Sequence, residues 1–140
     1  RPAIAIVSVN SWCRATFVRK VEDEATLLRA YEAGLLRAHA KAMREKGGYD
    51  VIIAACEKLG EKRELHIANY GAGLEDRLTG LHETCSYKDF KYGVSDRGAS
   101  IRIPLATKLE GKGYLEDRRP CANIDPYVVA RLLLETVCDS

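Results

Sequence analysis

The chain has 140 residues, a net charge of +2 and 46% hydrophobic residues, which is typical of one soluble globular domain. So small a net charge argues against a dedicated nucleic-acid binder, because such proteins usually present a strongly basic face. No apolar run approaches the roughly 18 residues that a membrane span requires. The five cysteines include no C-x-x-C pair, which argues against a zinc site and favours a reducing, cytoplasmic compartment.

The first half of the chain is predicted to be mainly helical. Residues 3–9 are apolar and β-branched, which indicates a buried strand. Residues 13–18 are compatible with either a strand or the start of a helix. Apolar residues then recur at three- and four-residue steps over residues 22–46, which predicts an amphipathic helix. The glycine pair at 47–48 is expected to end it.

The second half contains one further helix, a long region of turns, and a final helix. A helix is predicted over residues 50–69, with Asp50 as its N-cap. Turns and short strands follow over residues 71–124. The last helix is predicted to begin after Asp125, which caps it, and Pro126 occupies the first helical position, where its missing N–H has no helical partner.

Arginines occur at a predicted strand in the second half. Period-two alternation over residues 98–104 places apolar side chains on one face and Arg102 on the other. Arg97 precedes Gly98, so it lies at a strand entry where the backbone can approach a ligand closely. Guanidinium groups suit phosphate and carboxylate because their donors match two oxygens at once.

A short charged segment carries two carboxylates and two arginines. If residues 115–119 are extended, Glu116 and Arg118 share one face, and Asp117 and Arg119 share the other. A carboxylate beside an arginine can hold a metal ion and the anion bound to it, as phosphoryl transfer requires. The alternative interpretation is a solvated ladder of surface salt bridges, which exposed charge runs form more often.

A third polar segment surrounds Glu83, which follows a glycine-bearing turn. Glu83 on such a loop can move as a flap and can accept a proton or hold a cationic nucleophile. The neighbouring His82 is either a general base or metal ligand or, more often for such a residue, a structural histidine. His39 and His66 lie in predicted helices, and a structural role is expected for both.

Three segments of the sequence, in their order and spacing, resemble a known family. The segments are residues 77–84, residues 93–104 and residues 113–131. They resemble the C-terminal part of the catalytic domain of glutamine synthetase, in its eukaryotic-type branch. The resemblance covers residues 41–140 of a single domain, whereas residues 1–40 are a divergent strand and helix region. It implies an α+β fold in which helices pack on one face of an antiparallel sheet.

The resemblance implies an activity and a set of substrates. The family ligates ammonia to glutamate with ATP and Mg²⁺ or Mn²⁺ through a γ-glutamyl phosphate. Arg77 would bind the glutamate carboxylate, and Glu83 would be the flap carboxylate that shields the intermediate and helps to deprotonate ammonium. Arg97 would contact both glutamate and the ATP phosphates. Arg118 would bind glutamate or stabilise the transferring phosphoryl group.

The resemblance also implies a nucleotide site. Arg102, Tyr114, Leu115 and Glu116 would line the ATP, and Glu116 would be a metal ligand. The family's other metal carboxylates, including a Glu-x-Glu pair, are not recognisable in this chain. The family also has a glycine-rich segment around a metal-binding histidine, and it is not recognisable here. His39 lacks such glycine-rich surroundings.

Three functional interpretations follow. The chain is a ligase that is incomplete when isolated, or it is a non-catalytic truncated homologue that binds nucleotide or anion or assembles with full-length subunits, or it is a scaffold that retains the motifs only because they fold its strands. The family forms large rings with active sites between subunits, so we expect a homo-oligomer or an assembly with glutamine synthetase subunits. Because the chain begins with Arg1 and its only methionine is Met43, we also expect a processed product, a fragment or a missing start.

Overall fold

The computed structural model describes residues 41–138. The strand predicted over residues 3–9, the segment 13–18, most of the helix predicted over residues 22–46, and His39 lie outside the described residues. In chain order the elements are α1 (Gly48–Glu61), α2 (Arg63–Ile67), α3 (Leu74–Arg77), β1 (Tyr92–Val94), β2 (Ile101–Ile103), α4 (Leu105–Glu110), β3 (Glu116–Asp117) and α5 (Pro126–Cys138).

The three strands form a small mixed sheet in the order β1-β2-β3. β2 and β3 are antiparallel, but β1 and β2 are parallel. The predicted α+β class is therefore confirmed, and the prediction of a purely antiparallel sheet is wrong. The reason lies between β1 and β2, where Ser95 has a φ of 52° and Asp96 accepts the Gly98 N–H at 2.8 Å. These turns bring the chain back toward the start of β1, so β2 runs in the same direction.

A glycine pair turns the chain ahead of α1. Of the helix predicted over residues 22–46, the described residues 41–44 are helical. Gly47 then has a φ of 84°, and Gly48 lies so close to the Met43 carbonyl that a Cβ atom would collide with it. Left-handed backbone and close approach both favour glycine. The prediction that these glycines end the helix is confirmed.

The helix predicted over residues 50–69 is two helices in the structure. α1 begins at Gly48, and the carbonyl of Gly47 accepts the Asp50 N–H at 3.1 Å. The prediction of Asp50 as the N-cap is therefore wrong, because the glycine turn starts the helix earlier. The chain leaves helical geometry at Lys62, which separates α1 from α2.

The start of α5 agrees with its prediction. Asp125 Oδ1 accepts the N–H groups of Tyr127 at 3.0 Å and Val128 at 3.4 Å, which is the N-cap geometry expected from the sequence. The predicted apolar line along this helix is buried, at Val129, Leu133 and Val137. α5 is therefore anchored at its start by a cap and along its length by the core.

One hydrophobic core joins the two long helices to the central strand. Its members include Ile52 and Leu59 of α1, Ile101 and Ile103 of β2, and Leu133 of α5. Burial of apolar area of this kind is the main favourable contribution to folding. Within residues 41–138 no helix is long and apolar enough to cross a membrane.

A buried polar network connects α5, α2 and β3. The His66 ring lies between two hydroxyl groups, with Nε2 2.8 Å from Thr136 Oγ1 and Nδ1 2.7 Å from Tyr70 Oη. The Tyr70 hydroxyl donates to Asp117 Oδ2 at 2.7 Å. Arg119 completes the network with two side-chain hydrogen bonds to the Asp117 carboxylate. All five side chains are at most 2% exposed, so this network is internal to the fold.

The network holds His66 neutral. The pKa of His66 is lowered from 6.5 to about 4, mainly by burial and also by the nearby charges of Arg119 and Lys62, while the Asp117 carboxylate opposes the shift. Burial and the Asp117 carboxylate raise the pKa of Tyr70 well above its ordinary value. The tyrosine hydroxyl therefore keeps its proton and donates a hydrogen bond to Asp117.

We expect the stability of the chain to fall as the pH drops from about 6.5 to about 4. In this window the unfolded chain protonates His66, whose ordinary pKa is 6.5, while the folded chain does not. The contribution of neutral His66 to the free energy of unfolding is fully present above pH 6.5. About 3 kcal/mol of that free energy is lost as the pH falls toward 4. Urea unfolding between pH 7 and pH 4.5 measures the effect. His66→Gln is the control, and an identical pH dependence in that variant would contradict the assignment.

Candidate active site

A cleft opens between the loop that contains Glu83 and the segment that follows β3. Three of the residues predicted from the sequence line it: Arg77 at the end of α3, Glu83 and Arg118. The other lining residues are Leu78, Thr84, Cys85, Ala99, Ser100 and Arg119. The structure thus brings together residues that are up to 42 positions apart in the sequence.

The loop at Glu83 has an unusual backbone. His82 and Glu83 have φ values of 52° and 60°, in the left-handed region that residues other than glycine seldom adopt. The Thr84 hydroxyl closes the turn by donating to the Leu81 carbonyl at 2.6 Å. On the cleft side, Arg118 Nη2 donates to the Glu83 carbonyl at 3.2 Å. Strained backbone of this kind persists only where neighbouring contacts hold it, and it concentrates at functional sites.

The Glu83 carboxylate faces Arg97. Glu83 Oε2 lies 3.7 Å from Arg97 Nη1, and the two side chains are 65% and 67% exposed. Arg97 stands in the turn between β1 and β2, four residues before β2 begins, whereas the sequence predicted that a strand would start directly after it. An ion pair this exposed contributes little to stability, so the carboxylate and the guanidinium both remain accessible to a ligand.

Arg77 holds the main chain of the segment after β3. Its Nη1 donates to the carbonyl of Arg118 at 3.3 Å, and its Nη2 donates to the carbonyls of Arg118, Arg119 and Pro120. Its Nε lies 3.5 Å from Cys121 Sγ. The guanidinium that was predicted to bind glutamate therefore also fixes the backbone from which the Arg118 side chain extends.

One face of the β2-β3 ladder carries the predicted nucleotide and metal residues. Arg102 lies opposite Glu116, and Arg102 Nη1 is 2.8 Å from Glu116 Oε2. The Arg118 N–H donates to the Ser100 carbonyl at 2.9 Å, so the pairing continues past the end of β3. Because side chains alternate along an extended chain, Arg102, Glu116 and Arg118 share this face.

The two residues before β3 differ in exposure. Tyr114 is 42% exposed, whereas Leu115 is 2% exposed and its side chain belongs to the core. The Tyr114 main chain is fixed by the Thr107 hydroxyl, which is 3.3 Å from both its N–H and its carbonyl. A ligand on this side would meet the Tyr114 ring and only the main chain of Leu115.

The described residues do not form a complete metal site. Within residues 41–138 no group of three or more His, Cys, Asp or Glu side chains is arranged to hold a metal ion. Glu116 is one carboxylate and is already paired with Arg102. Mg²⁺ demands near-octahedral oxygen coordination, so further ligands are needed beyond the ones that these residues offer.

The alternation predicted over residues 115–119 is confirmed, but the surface salt-bridge interpretation is wrong for half of the segment. Asp117 and Arg119 form an ion pair of 2.7 Å with side chains that are 0% and 2% exposed. A signal for this burial exists in the sequence. Leu115 is apolar and, at period two, shares its face with both residues. The face that buries Leu115 therefore buries the ion pair and turns Glu116 and Arg118 outward.

Comparison with curated proteins finds glutamine synthetases. The enzyme of Streptomyces viridochromogenes is 62% identical over 102 residues, which are 71% of this chain and 29% of that protein. That of Streptomyces hygroscopicus is 59% identical over 145 aligned residues, or 94% of this chain and 42% of that protein. Root isozyme 1 of Zea mays is 59% identical over 96 residues, which are 69% of this chain and 27% of that protein.

The chain spans less than half the length of these relatives. The match to the Streptomyces hygroscopicus protein covers 94% of the chain, so it extends into residues 1–40. No protein-family model matches the chain.

Arg77→Lys should lower the free energy of unfolding by about 2 kcal/mol, because an ammonium group cannot replace a planar guanidinium on several carbonyls at once. Arg97→Lys is the matched control. Its side chain is exposed, so its effect should stay within about 0.5 kcal/mol. Urea unfolding of both variants at pH 7 measures the difference. Equal losses would contradict the assignment of Arg77 as a structural clamp.

Proposed function

Because this chain is homologous to part of glutamine synthetase, we propose that it contributes to ligation of ammonia to glutamate with ATP and Mg²⁺ or Mn²⁺, through a γ-glutamyl phosphate. The observation that supports this function most strongly is the convergence of Arg77, Glu83 and Arg118 on one cleft. The chain forms part of the site in the cytoplasm, as a homo-oligomer or in assembly with glutamine synthetase subunits.

The charges of the cleft favour an anionic substrate. Asp117 neutralises Arg119, and Arg97 is paired with Glu83. Arg77 and Arg118 have no carboxylate partner among residues 41–138, and their described hydrogen bonds go to carbonyl oxygens or, for Arg77, also to sulfur. Two uncompensated guanidinium groups attract carboxylate and phosphoryl oxygens, as glutamate and its γ-phosphate require.

Glu83 is the proposed proton acceptor. Its carboxylate is exposed at the edge of the cleft, and its loop is connected to Arg118 by the hydrogen bond at its carbonyl. An ionised carboxylate there accepts a proton from ammonium, and the resulting ammonia attacks the acyl carbon of the γ-glutamyl phosphate. The carbon–oxygen bond to phosphate breaks as the carbon–nitrogen bond forms, and the departing phosphate takes up the proton that the nitrogen loses to become an amide. Arg118 neutralises charge on the departing phosphate.

The proposed nucleotide wall is the outward face of β2 and β3 with Tyr114. Arg97 and Arg102 bind phosphate oxygens, the Tyr114 ring and the Leu115 main chain contact the remainder of the nucleotide, and Glu116 supplies one metal ligand. Further oxygen ligands would come from outside residues 41–138. A bound divalent ion would supply charge neutralisation at the phosphates.

Arg118→Gln should lower the rate of γ-glutamyl hydroxamate formation by about a hundredfold, because one preorganised charge on the reacting group is removed. The assay uses ATP, Mn²⁺, glutamate and hydroxylamine, with the chain alone and with added glutamine synthetase subunits that carry an inactivating substitution. Arg63→Gln, which alters an exposed arginine paired with Glu64, is the control and should leave the rate unchanged. If neither preparation forms product, the proposed catalysis fails.

Arg102→Ala should weaken ADP binding about tenfold, since a charged hydrogen bond to phosphate is lost. Calorimetry with ADP and Mn²⁺ measures the affinity, and Arg63→Gln again serves as the control. ADP binding without hydroxamate formation would favour the non-catalytic homologue. If the chain binds neither ADP nor glutamate, both of these functions fail and the scaffold interpretation is favoured.

A further inference from the structure

We infer that Tyr70 is a positioning residue for the candidate active site and acts through Asp117. The inference rests on the proposed function, because it specifies how the outward residues Glu116 and Arg118 are held in place. Tyr70 touches neither of these side chains in the described contacts. Its effect would pass through the buried face of the same short segment.

Side chains of residues 115–119 alternate between the core and the cleft, so the positions of the outward side chains depend on how the inward side chains are packed. Glu116 and Arg118 alternate with the buried pair Asp117 and Arg119. A shift of the inward pair therefore moves the outward side chains with it. The Arg118 main chain is also tied to β2 by its hydrogen bond to the Ser100 carbonyl, so the segment has one defined register in the fold.

The buried ion pair cannot locate the segment by itself, because Asp117 and Arg119 are only two residues apart in the sequence. Tyr70 supplies a long-range contact on the buried face, 47 residues from Asp117, through its hydroxyl at Asp117 Oδ2. Its carbonyl accepts the Cys121 N–H at 2.8 Å, and the Arg119 guanidinium lies 5.1 Å from the centre of its ring. Tyr70 therefore contacts the segment at Asp117 and at Arg119, and it contacts the chain just after the segment at Cys121.

The donors of the network have one consistent arrangement. A tyrosine hydroxyl has one proton, and Tyr70 uses it in the hydrogen bond that it donates to Asp117. His66 Nδ1 must therefore carry a proton and donate a hydrogen bond to Tyr70 Oη, while Nε2 accepts a hydrogen bond from the Thr136 hydroxyl. Hydrogen bonds that point the same way along such a chain strengthen one another. The network thus connects the active-site segment to α5.

The decisive variant is Tyr70→Phe, which keeps the ring and removes the hydroxyl. The readout is amide hydrogen exchange at Arg118, measured by NMR, relative to exchange at Ile52 in α1. We expect exchange at Arg118 to become about tenfold faster, because the buried hydrogen bond to Asp117 is lost together with the one from His66, with less than about a twofold change at Ile52. Tyr49→Phe is the matched control, since Tyr49 packs against the same core outside the network.

Glutamate binding tests whether the displacement reaches the site. Tyr70→Phe should weaken glutamate binding measured by calorimetry about tenfold, and Tyr49→Phe should leave it unchanged. If the unaltered chain binds no glutamate, the proposed substrate site fails, and the exchange measurement alone decides the positioning role. If it binds glutamate and both variants bind equally well, the inference fails while the proposed site stands.

Two exchange results would overturn the inference. Equal rates at Arg118 in the two tyrosine variants would show that the hydroxyl does not hold the segment. Equal acceleration at Arg118 and at Ile52 would show a general loss of stability. If Tyr70→Phe does not fold, Thr136→Val at the other end of the network decides instead. Selective acceleration at Arg118 supports the inference, and its absence contradicts it.

Discussion

The buried ion pair between Asp117 and Arg119 is the constraint on which the candidate site depends. Removing two charges from water is costly, and their attraction compensates only when the remaining polar atoms are well bonded. Here the Tyr70 hydroxyl bonds the carboxylate, and the guanidinium lies over the rings of Tyr70 and Phe90, but Arg119 Nη1 is buried with no hydrogen-bond partner among the described residues. Removal of one partner would leave a buried charge uncompensated. Because this pair occupies the inward face of its segment, only the outward face is open to a ligand.

The outward face with Glu116 and Arg118 meets the loop at Glu83 because the segment that carries Arg118 is held from two sides. Arg77 binds its carbonyl oxygens from the cleft. From the core, the Tyr70 hydroxyl binds the Asp117 side chain and the Tyr70 carbonyl accepts the Cys121 N–H. Arg118 then extends between these supports and contacts the Glu83 carbonyl. Preorganisation of this kind lets charged groups act on a reacting phosphoryl or carboxyl group without a large rearrangement. The metal chemistry of such a site needs more oxygen ligands than Glu116 offers.

Much of the fold followed from local patterns. The cap at Asp125 and the apolar line of α5 were predictable because both depend on neighbours within a few residues. The alternation around Asp117 was predictable for the same reason. The parallel pairing of β1 with β2 was not, because strand direction depends on the turns at residues 95–98. The start of α1 was also missed, because Gly47 in a left-handed turn is the N-cap and the helix begins at Gly48, two residues before Asp50.

The sequence by itself determined the family resemblance, the α+β class, the identity of the charged residues and the order in which they occur. Only the tertiary structure decided which of them are buried and which meet. Asp117 and Glu116 are adjacent carboxylates of similar chemistry, yet one is internal and the other faces outward. Glu83 and Arg118 are 35 residues apart and share a cleft. The reason is that burial and proximity depend on distant segments, here Tyr70 and Arg77, whose positions no local pattern encodes.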